Sequence, residues 1–382
     1  MGQTAQSITP FMKERALSVG DKVQIDSLDV AAYRIPTETP ESDGTYEWDS
    51  TTIVVVEAEA GNLRSLGYTY ADLATATLIQ DHLKDVVLGI DAFSVNRAWM
   101  SMMQSIRNLG RPGISSMAIS AVDNALWDLK ARLLNLPLAR LLGQVHETVP
   151  IYGSGGFTSY SNDRLQEQLA GWVEQGIPRV KMKIGRNAKA DRARVALVRR
   201  AIDDEAELFV DANGAYSRKR ALAQADIFAN ENVSWFEEPV SSDDIEGLRL
   251  IRDRGPAGMD IAAGEYGYDL NYFERLLAAG AVDVLQADAT RCGGITGFLQ
   301  AATLCEAHHV ELSSHCAPAL HLHVGCAVGP FRHAEYFYDH VRIEELFFEG
   351  LPQPNEGALR PDLSRPGNGL ALRRADIAKY RL

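Results

Sequence analysis

Between Lys181 and Glu335, one short apolar, strand-like segment after another ends in an ionisable residue. Lys181 and Lys183 lie in IPRVKMKIG, Asp211 in LFVDANG, Glu237 in VSWFEEP, Glu265 in DIAAGEY, Asp288 in VDVLQAD, His315 in VELSSH and Glu335 in HAEYF. Charged side chains are expensive to bury unless they pair or hold a metal, so several at the ends of buried strands imply one shared site. From Lys183 onward these positions are 20 to 28 residues apart, the length of a strand plus a helix. Helix-like stretches fill the gaps: ARVALVRRAI, RKRALAQADIFANE, LNYFERLLAAG and ITGFLQAATLCEAHH. The alternation predicts a (β/α) barrel whose chemistry sits at the carboxyl ends of its strands. A doubly wound open sheet is the alternative, but it calls for a glycine-rich phosphate loop, and neither GxGxxG nor GxxxxGKS/T occurs.

The remainder of the chain has a different pattern. Residues 1–146 read as an α+β capping domain, 147–345 as the barrel, and 346–382 as a C-terminal segment returning to the cap. Two strand-like stretches, SLDVAAYRI and TTIVVVEAEAG, flank a polar loop from Pro36 to Ser50. Ile119, Val122, Leu126, Leu129 and Leu133 recur at steps of three and four, marking a buried helix face that ends near Asn135 and Pro137. A linker over residues 143–148 precedes VPIYGSGG, the first barrel strand. Beyond Glu335, YFYDHVRIEELFFEG reads as irregular, and the Pro- and Gly-rich tail as an extended return. Near the start, FMKERAL is a short amphipathic stretch that fits either a terminal helix or disorder.

The net charge of −13 argues against a nucleic-acid partner. No cationic segment followed by an apolar one opens the chain, and no apolar run is long enough for a bilayer, so the cytoplasm is expected and a membrane partner is not. Cys292, Cys305, Cys316 and Cys326 contain no CxxC pair, which suits reduced thiols. Cys316, beside His315, reads as a small buried side chain rather than a nucleophile.

Three carboxylates on consecutive strand ends, Asp211, Glu237 and Glu265, would repel one another on converging unless a cation joined them. Magnesium suits the set, since no Cys or His stands at these positions to favour zinc. Glu238 is expected on the opposite strand face in a structural role. Asn213 falls on the side of Asp211, where it either orients a substrate oxygen or serves the turn before Gly214. Lys181 and Lys183, two apart in a strand, share an inward face, while Val180, Met182 and Ile184 pack outward. Their ammonium groups should depress each other, leaving one neutral as a base and the other charged to hold a carboxylate oxygen. Asp288 is placed to fix the tautomer of His315 and make it a second acid/base. His321 and His323 read as core or rim. Glu335 either donates to a substrate oxygen when protonated or pairs with a basic residue. In the cap, ESDGTYEWDS offers Asp43, Tyr46 and Trp48, and YTYADL offers Tyr68 and Tyr70, as substrate selectors or plain surface residues.

At KMK, DAN, WFEEP, GE, DxxRCGGITG and SSH the chain resembles the enolase superfamily in its mandelate racemase group, over about residues 27–375. The resemblance implies a modified TIM (β/α)7β barrel under an α+β capping domain formed by the N-terminal region and the C-terminal tail. It also implies Mg²⁺ on Asp211, Glu237 and Glu265, with Lys183 and the His315–Asp288 pair facing each other across the substrate. Lys181 would contact the substrate carboxylate and Glu335 the enolate side. Asp288 departs from the muconate-lactonizing pattern, which has lysine there, so cycloisomerases of that type are disfavoured. The expected activity is removal of the proton alpha to a carboxylate, leading to dehydration of an aldonate or aldarate to a 2-keto-3-deoxy acid. A racemase or epimerase, a lactone cycloisomerase, and a non-catalytic sugar-acid binder are the alternatives. A small-molecule carboxylate is the expected partner, and a homo-oligomer the expected assembly.

Overall fold

Alternation along SLDVAAYRI and TTIVVVEAEA builds the first sheet. In this computed structural model, which describes residues 22–382, β1 (Ser27–Ser42) pairs antiparallel with β2 (Glu47–Ala60), and FMKERAL lies outside the described residues. The far edge of β2 carries β3 (Leu63–Arg64) and β4 (Gly67–Tyr70). Because side chains alternate, Val54, Val56 and Ala58 face the helices of the cap, while Ile53, Val55, Tyr33 and Ile35 join the core of the barrel. The Pro36 to Ser50 stretch, expected as a loop, is mostly strand: the pairing shifts between Pro36 and Glu41, resumes at Glu41 and Trp48, and turns over Asp43–Tyr46. Its polarity reflects a hairpin that reaches beyond the core. The tip rests on the barrel, where a Cβ on Gly44 would lie 2.4 Å from the Ala212 carbonyl oxygen and 2.7 Å from that of Ile184.

The helix Ile114–Leu133 buries Ile119, Val122, Leu126 and Leu129 as expected, with Leu133 half-buried at its end, and Asn135 takes a left-handed φ of 51° just beyond it. Its other face is polar yet buried, because it meets the start of the helix Gly294–His308. Ser120 Oγ accepts from the Gly293 and Gly294 N–H groups at 2.9 and 3.0 Å, and Asn124 Oδ1 accepts from Ile295 N–H at 3.0 Å. Asp123 accepts from Thr296 N–H at 2.9 Å and its hydroxyl at 2.7 Å. These are the amide groups a helix start leaves without partners of its own. Gly294 has φ 79°, and a Cβ there would meet Asp123 Oδ2 at 2.4 Å, which accounts for a glycine within RCGGITG.

Eight parallel strands follow: β5 (Val149–Gly155), β6 (Arg179–Lys183), β7 (Glu207–Asp211), β8 (Val233–Glu237), β9 (Asp260–Ala263), β10 (Val284–Ala287), β11 (Glu311–Ser314) and β12 (Phe331–Phe337). Each pairs with the next, and β12 closes on β5 with Ala334 opposite Ile151, which excludes the open sheet. Helices lie between the strands. Inside, Tyr152, Phe209 and Trp235 pack with Ala262 and Val284, and the Phe209 and Trp235 rings stack at 5.3 Å. This apolar floor leaves the carboxyl strand ends as the place for polar groups.

Beyond Glu335 the expectation of irregular chain is corrected. Tyr338–Phe347 is a helix burying Asp339, His340, Ile343, Glu344 and Phe347, a helical spacing masked by the polar members of the buried face. The tail then pairs Phe348–Glu349 with Ala371–Leu372 and sets Ala358–Leu359 against β5. Asn368 ties it to the cap, donating its N–H to Asp128 at 2.6 Å and its side-chain amide to the Leu66 carbonyl at 3.1 Å. No helix of the described residues is long and apolar enough to cross a membrane.

Asp123 joins the cap to the segment that carries Asp288, so Asp123→Ala leaves buried donors of Thr296 unpaired. A loss of about 1–3 kcal/mol is expected. Comparison of thermal midpoints with the unsubstituted protein measures it.

Candidate active site

The carboxyl ends of β6 to β12 converge their ionisable side chains. Asp211 ends β7, Glu237 ends β8 and Glu265 follows β9. All three are buried, and each offers a carboxylate oxygen within 4.8 Å of the other two. Glu265 Oε2 has no hydrogen-bond partner although it is buried. An all-oxygen donor set with an unsatisfied oxygen fits a hard divalent cation.

Two lysines flank this trio. Lys183 Nζ is 2.5 Å from Asp211 Oδ2. Lys181, with no exposed surface, donates to both oxygens of Glu237 at 2.7 Å and lies 2.8 Å from Glu335 Oε1. Burial alone would lower both proton affinities, yet Glu237 and Glu335 hold Lys181, and Asp211 holds Lys183, well above the ordinary lysine value. The neighbouring carboxylates outweigh the repulsion between the ammonium groups.

Lys181 and Glu335 do not reach the cavity as the sequence suggested. Glu335 accepts from Ser154 Oγ at 2.6 Å and from the Cys316 N–H at 2.8 Å. Burial opposes its charge, but Lys181 and then His315 hold its pKa well below the usual carboxylate range. Glu238 was expected on the opposite face. Its φ of 37° breaks the strand alternation, and burial, then the charges of Glu265, Asp211 and Glu237, push its pKa well up.

Across the barrel, His315 Nδ1 lies 2.8 Å from Asp288 Oδ2. Against the cost of burial, that contact holds Asp288 below its ordinary value, as an anion. Asp288 Oδ1 accepts from Thr290 N–H at 2.7 Å. The other ring nitrogen of His315 sits 3.4 Å from Glu265 Oε2 and 3.2 Å from Cys316 Sγ. Burial and the adjacent Glu335 push the Cys316 thiol well up, against a nucleophilic role, and all four cysteines are buried and free. His321 is a core residue whose Nε2 accepts from the Ala289 N–H at 2.8 Å. His323, also buried, accepts from the Ala139 N–H.

Above these groups lies a cavity of about 440 Å³, bounded below by Lys183, Asn213, Glu265, Asp288, Arg291 and His315 and above by the cap hairpin. Asp43, Tyr46 and Trp48 line it. Asn213 does too, with φ 45°, its N–H donating to Asp211 Oδ1 and its own Oδ1 unpartnered. Tyr68 does not: it is fully buried, with its hydroxyl donating to Glu344 at 2.6 Å, and Tyr70, two residues on, reaches the cavity instead. Sequence reasoning gave no role to Arg291 or His340, which also line it. Arg291 follows Asp288 by three positions, a spacing that would have drawn attention to it; it contacts Glu265 at 3.4 Å and Asp288 at 3.7 Å. A larger cavity, about 780 Å³, lies among Arg140, His146 and the tail. No comparable convergence of buried carboxylates occurs among its lining residues, so the smaller cavity is the candidate site.

Fold and donor set together define the class, a barrel enzyme. Residues 28–143 match the mandelate racemase / muconate lactonizing enzyme N-terminal domain and residues 164–376 the enolase C-terminal domain-like family, so the chain belongs to the mandelate racemase-like branch of the enolase superfamily. It is 33% identical over 349 residues to 3,6-anhydro-alpha-L-galactonate cycloisomerase of Streptomyces coelicolor, covering 89% of this chain and 94% of that one. A mandelate racemase/muconate lactonizing enzyme-like protein from Rubrobacter xylanophilus superposes with a TM-score of 0.92 at 55% identity, covering 94% and 100% of the two chains. L-Talarate dehydratase from Polaromonas sp. JS666, complexed with Mg and L-glucarate, superposes with a TM-score of 0.85 at 30% identity, covering 94% and 98%.

The cap wall carries a pH-dependent contact. Glu41, 1% exposed, accepts from Trp48 Nε1 at 3.0 Å. Burial and then Asp339 raise its pKa from 4.5 to about 8, against Trp48, Arg342 and Arg164. Its contribution to stability is therefore fully present below the unfolded value and is lost as pH rises through about 8. Glu41→Gln should flatten the decline in thermal midpoint across that window, as read by melts in a pH series.

Proposed function

We propose that this protein removes the proton alpha to the carboxylate of a sugar acid and eliminates the β-hydroxyl as water, giving a 2-keto-3-deoxy acid. The observation that carries this reading is the placement of Lys183 and His315 at the two ends of the carboxylate trio, one against Asp211 and the other against Glu265, under one cavity. Asp211, Glu237 and Glu265 would hold Mg²⁺, which supplies fixed positive charge where the substrate carboxylate gains electron density.

The chain's own residues carry the protons. Asp288 accepts from His315 Nδ1, which fixes the tautomer and leaves Nε2 to exchange a proton with the substrate. Lys183 serves the opposite flank. When one of them takes the α-proton, the electron pair of the broken C–H bond moves onto the substrate carboxylate, and its return forms the enol double bond as the β C–O bond breaks. The other gives its proton to the departing hydroxyl, and the enol becomes the ketone. Lys181 and Glu335, beneath the cavity, keep the trio in place through their ion pairs. Arg291 steadies Glu265 and Asp288 from the side.

The same pair of flanking groups also supports a second outcome, in which the opposite group reprotonates the same carbon and an epimer forms. Cycloisomerisation, the reaction that the name of one relative gives, is a third outcome. Product analysis separates them, and a binder without turnover would show no α-proton exchange in D₂O with any sugar acid it binds.

Two results are expected. Lys183→Met and His315→Asn each lower kcat for 2-keto product by about 10²–10⁴-fold, while the variant that keeps the base for the reacting face still exchanges the α-proton; full activity in either removes that residue from the mechanism. Glu265→Gln weakens Mg²⁺ binding by about 10-fold or more in calorimetric titration, whereas Thr45→Ala, at the cap tip, leaves it unchanged.

A further inference from the structure

We propose that the substrate has one carboxylate and an uncharged, hydroxylated far end, so that aldonates are turned over in preference to aldarates. This rests on the sugar-acid reading above and narrows it. The cavity has two unlike walls. Its lysine and arginine side chains, Lys183 and Arg291, both belong to the floor, and both are already engaged with the carboxylates of Asp211, Glu265 and Asp288. The wall supplied by the cap contains no lysine or arginine among the described residues.

That wall presents hydroxyls, such as Thr52 and Tyr70, and two carboxylates, Asp43 and Asp72. Asp43 uses Oδ1 to accept from the Thr45 and Tyr46 N–H groups, and Asp72 uses Oδ1 to accept from Ala74 N–H. Neither has a basic side chain within ion-pair distance among the described residues, so both leave negative charge without a cationic partner on the cap side of the cavity. His340 does not alter the balance. Its Nδ1 accepts from the Ala317 N–H at 3.3 Å, leaving the proton on Nε2, and burial, then the neighbouring His315, hold its proton affinity well below the ordinary histidine value.

A second substrate carboxylate would leave water to meet like charge without a counter-ion, which is disfavoured both by desolvation and by repulsion. A polyol end suits the same wall, because each hydroxyl both donates to a carboxylate and accepts from a hydroxyl. The aspartates thus select by repelling the wrong end group as much as by binding the right one.

The test uses the Mg²⁺-loaded protein and matched pairs of equal configuration, D-gluconate with D-glucarate and D-galactonate with galactarate among them. Exchange of the α-proton in D₂O and formation of 2-keto acid are both read. The expected result is at least one aldonate with kcat/KM about 100-fold above that of its aldarate. An aldarate processed as well as or better than its aldonate overturns the proposal. Absence of exchange with every aldonate and aldarate is a different result, and it overturns the sugar-acid reading together with this one. In a folded Thr52→Arg variant, the aldarate should gain at least about tenfold relative to its aldonate, and an unchanged ratio counts against the proposal.

Discussion

Lys181 lies wholly out of solvent with its ammonium shared between Glu237 and Glu335, and the architecture of the site follows from keeping that charge compensated. A buried ion stripped of its partner costs about 3–5 kcal/mol, so each group fixes the positions of the next. Glu335 is held in turn by Ser154 and the Cys316 amide, and Trp235 donates to Glu237. Such a lattice needs strands from opposite sides of the sheet at hydrogen-bonding distance. Closure of β12 on β5 provides this, because Glu335 then stands opposite Tyr152 and beside Ser154. The aromatic floor beneath excludes water, so the ion pairs are not weakened from below.

Much of this was legible in the sequence, for reasons that concern the strands. A parallel strand in a closed barrel has one inner face, and period two therefore assigns Lys181 and Lys183 to the same side. Recurrence at the interval of one strand and one helix brings Asp211, Glu237 and Glu265 to a common height. Depth within the barrel was harder to read. Lys181 lies one full pleat below Lys183, which is why it supports the site from beneath while Lys183 reaches the cavity. Glu238 escapes a period-two reading because a left-handed residue at the strand end breaks the period, and nothing in EEP announces that φ.

The cap was less readable. Tyr68 and Tyr70 are alternate residues of one strand, and which of two similar positions is covered depends on the helix Tyr338–Phe347, whose polar buried face concealed it. Glu344 of that helix holds the Tyr68 hydroxyl, while His340 stacks on Tyr70 at 3.4 Å between ring centres. This wall of the cavity is thus assembled from two segments far apart in the chain. Spacing cannot report such a contact, since neither partner repeats.

The seat of Gly44 on the Ala212 and Ile184 carbonyls makes the hairpin a measuring rod. Its arms are held by backbone pairing, which is indifferent to side-chain identity, and its end stops where it touches the rim. Lengthening both arms by two residues would carry the tip about 7 Å further. Chamber depth can therefore be reset by hairpin length, while the ionisable groups on the strand ends keep their places.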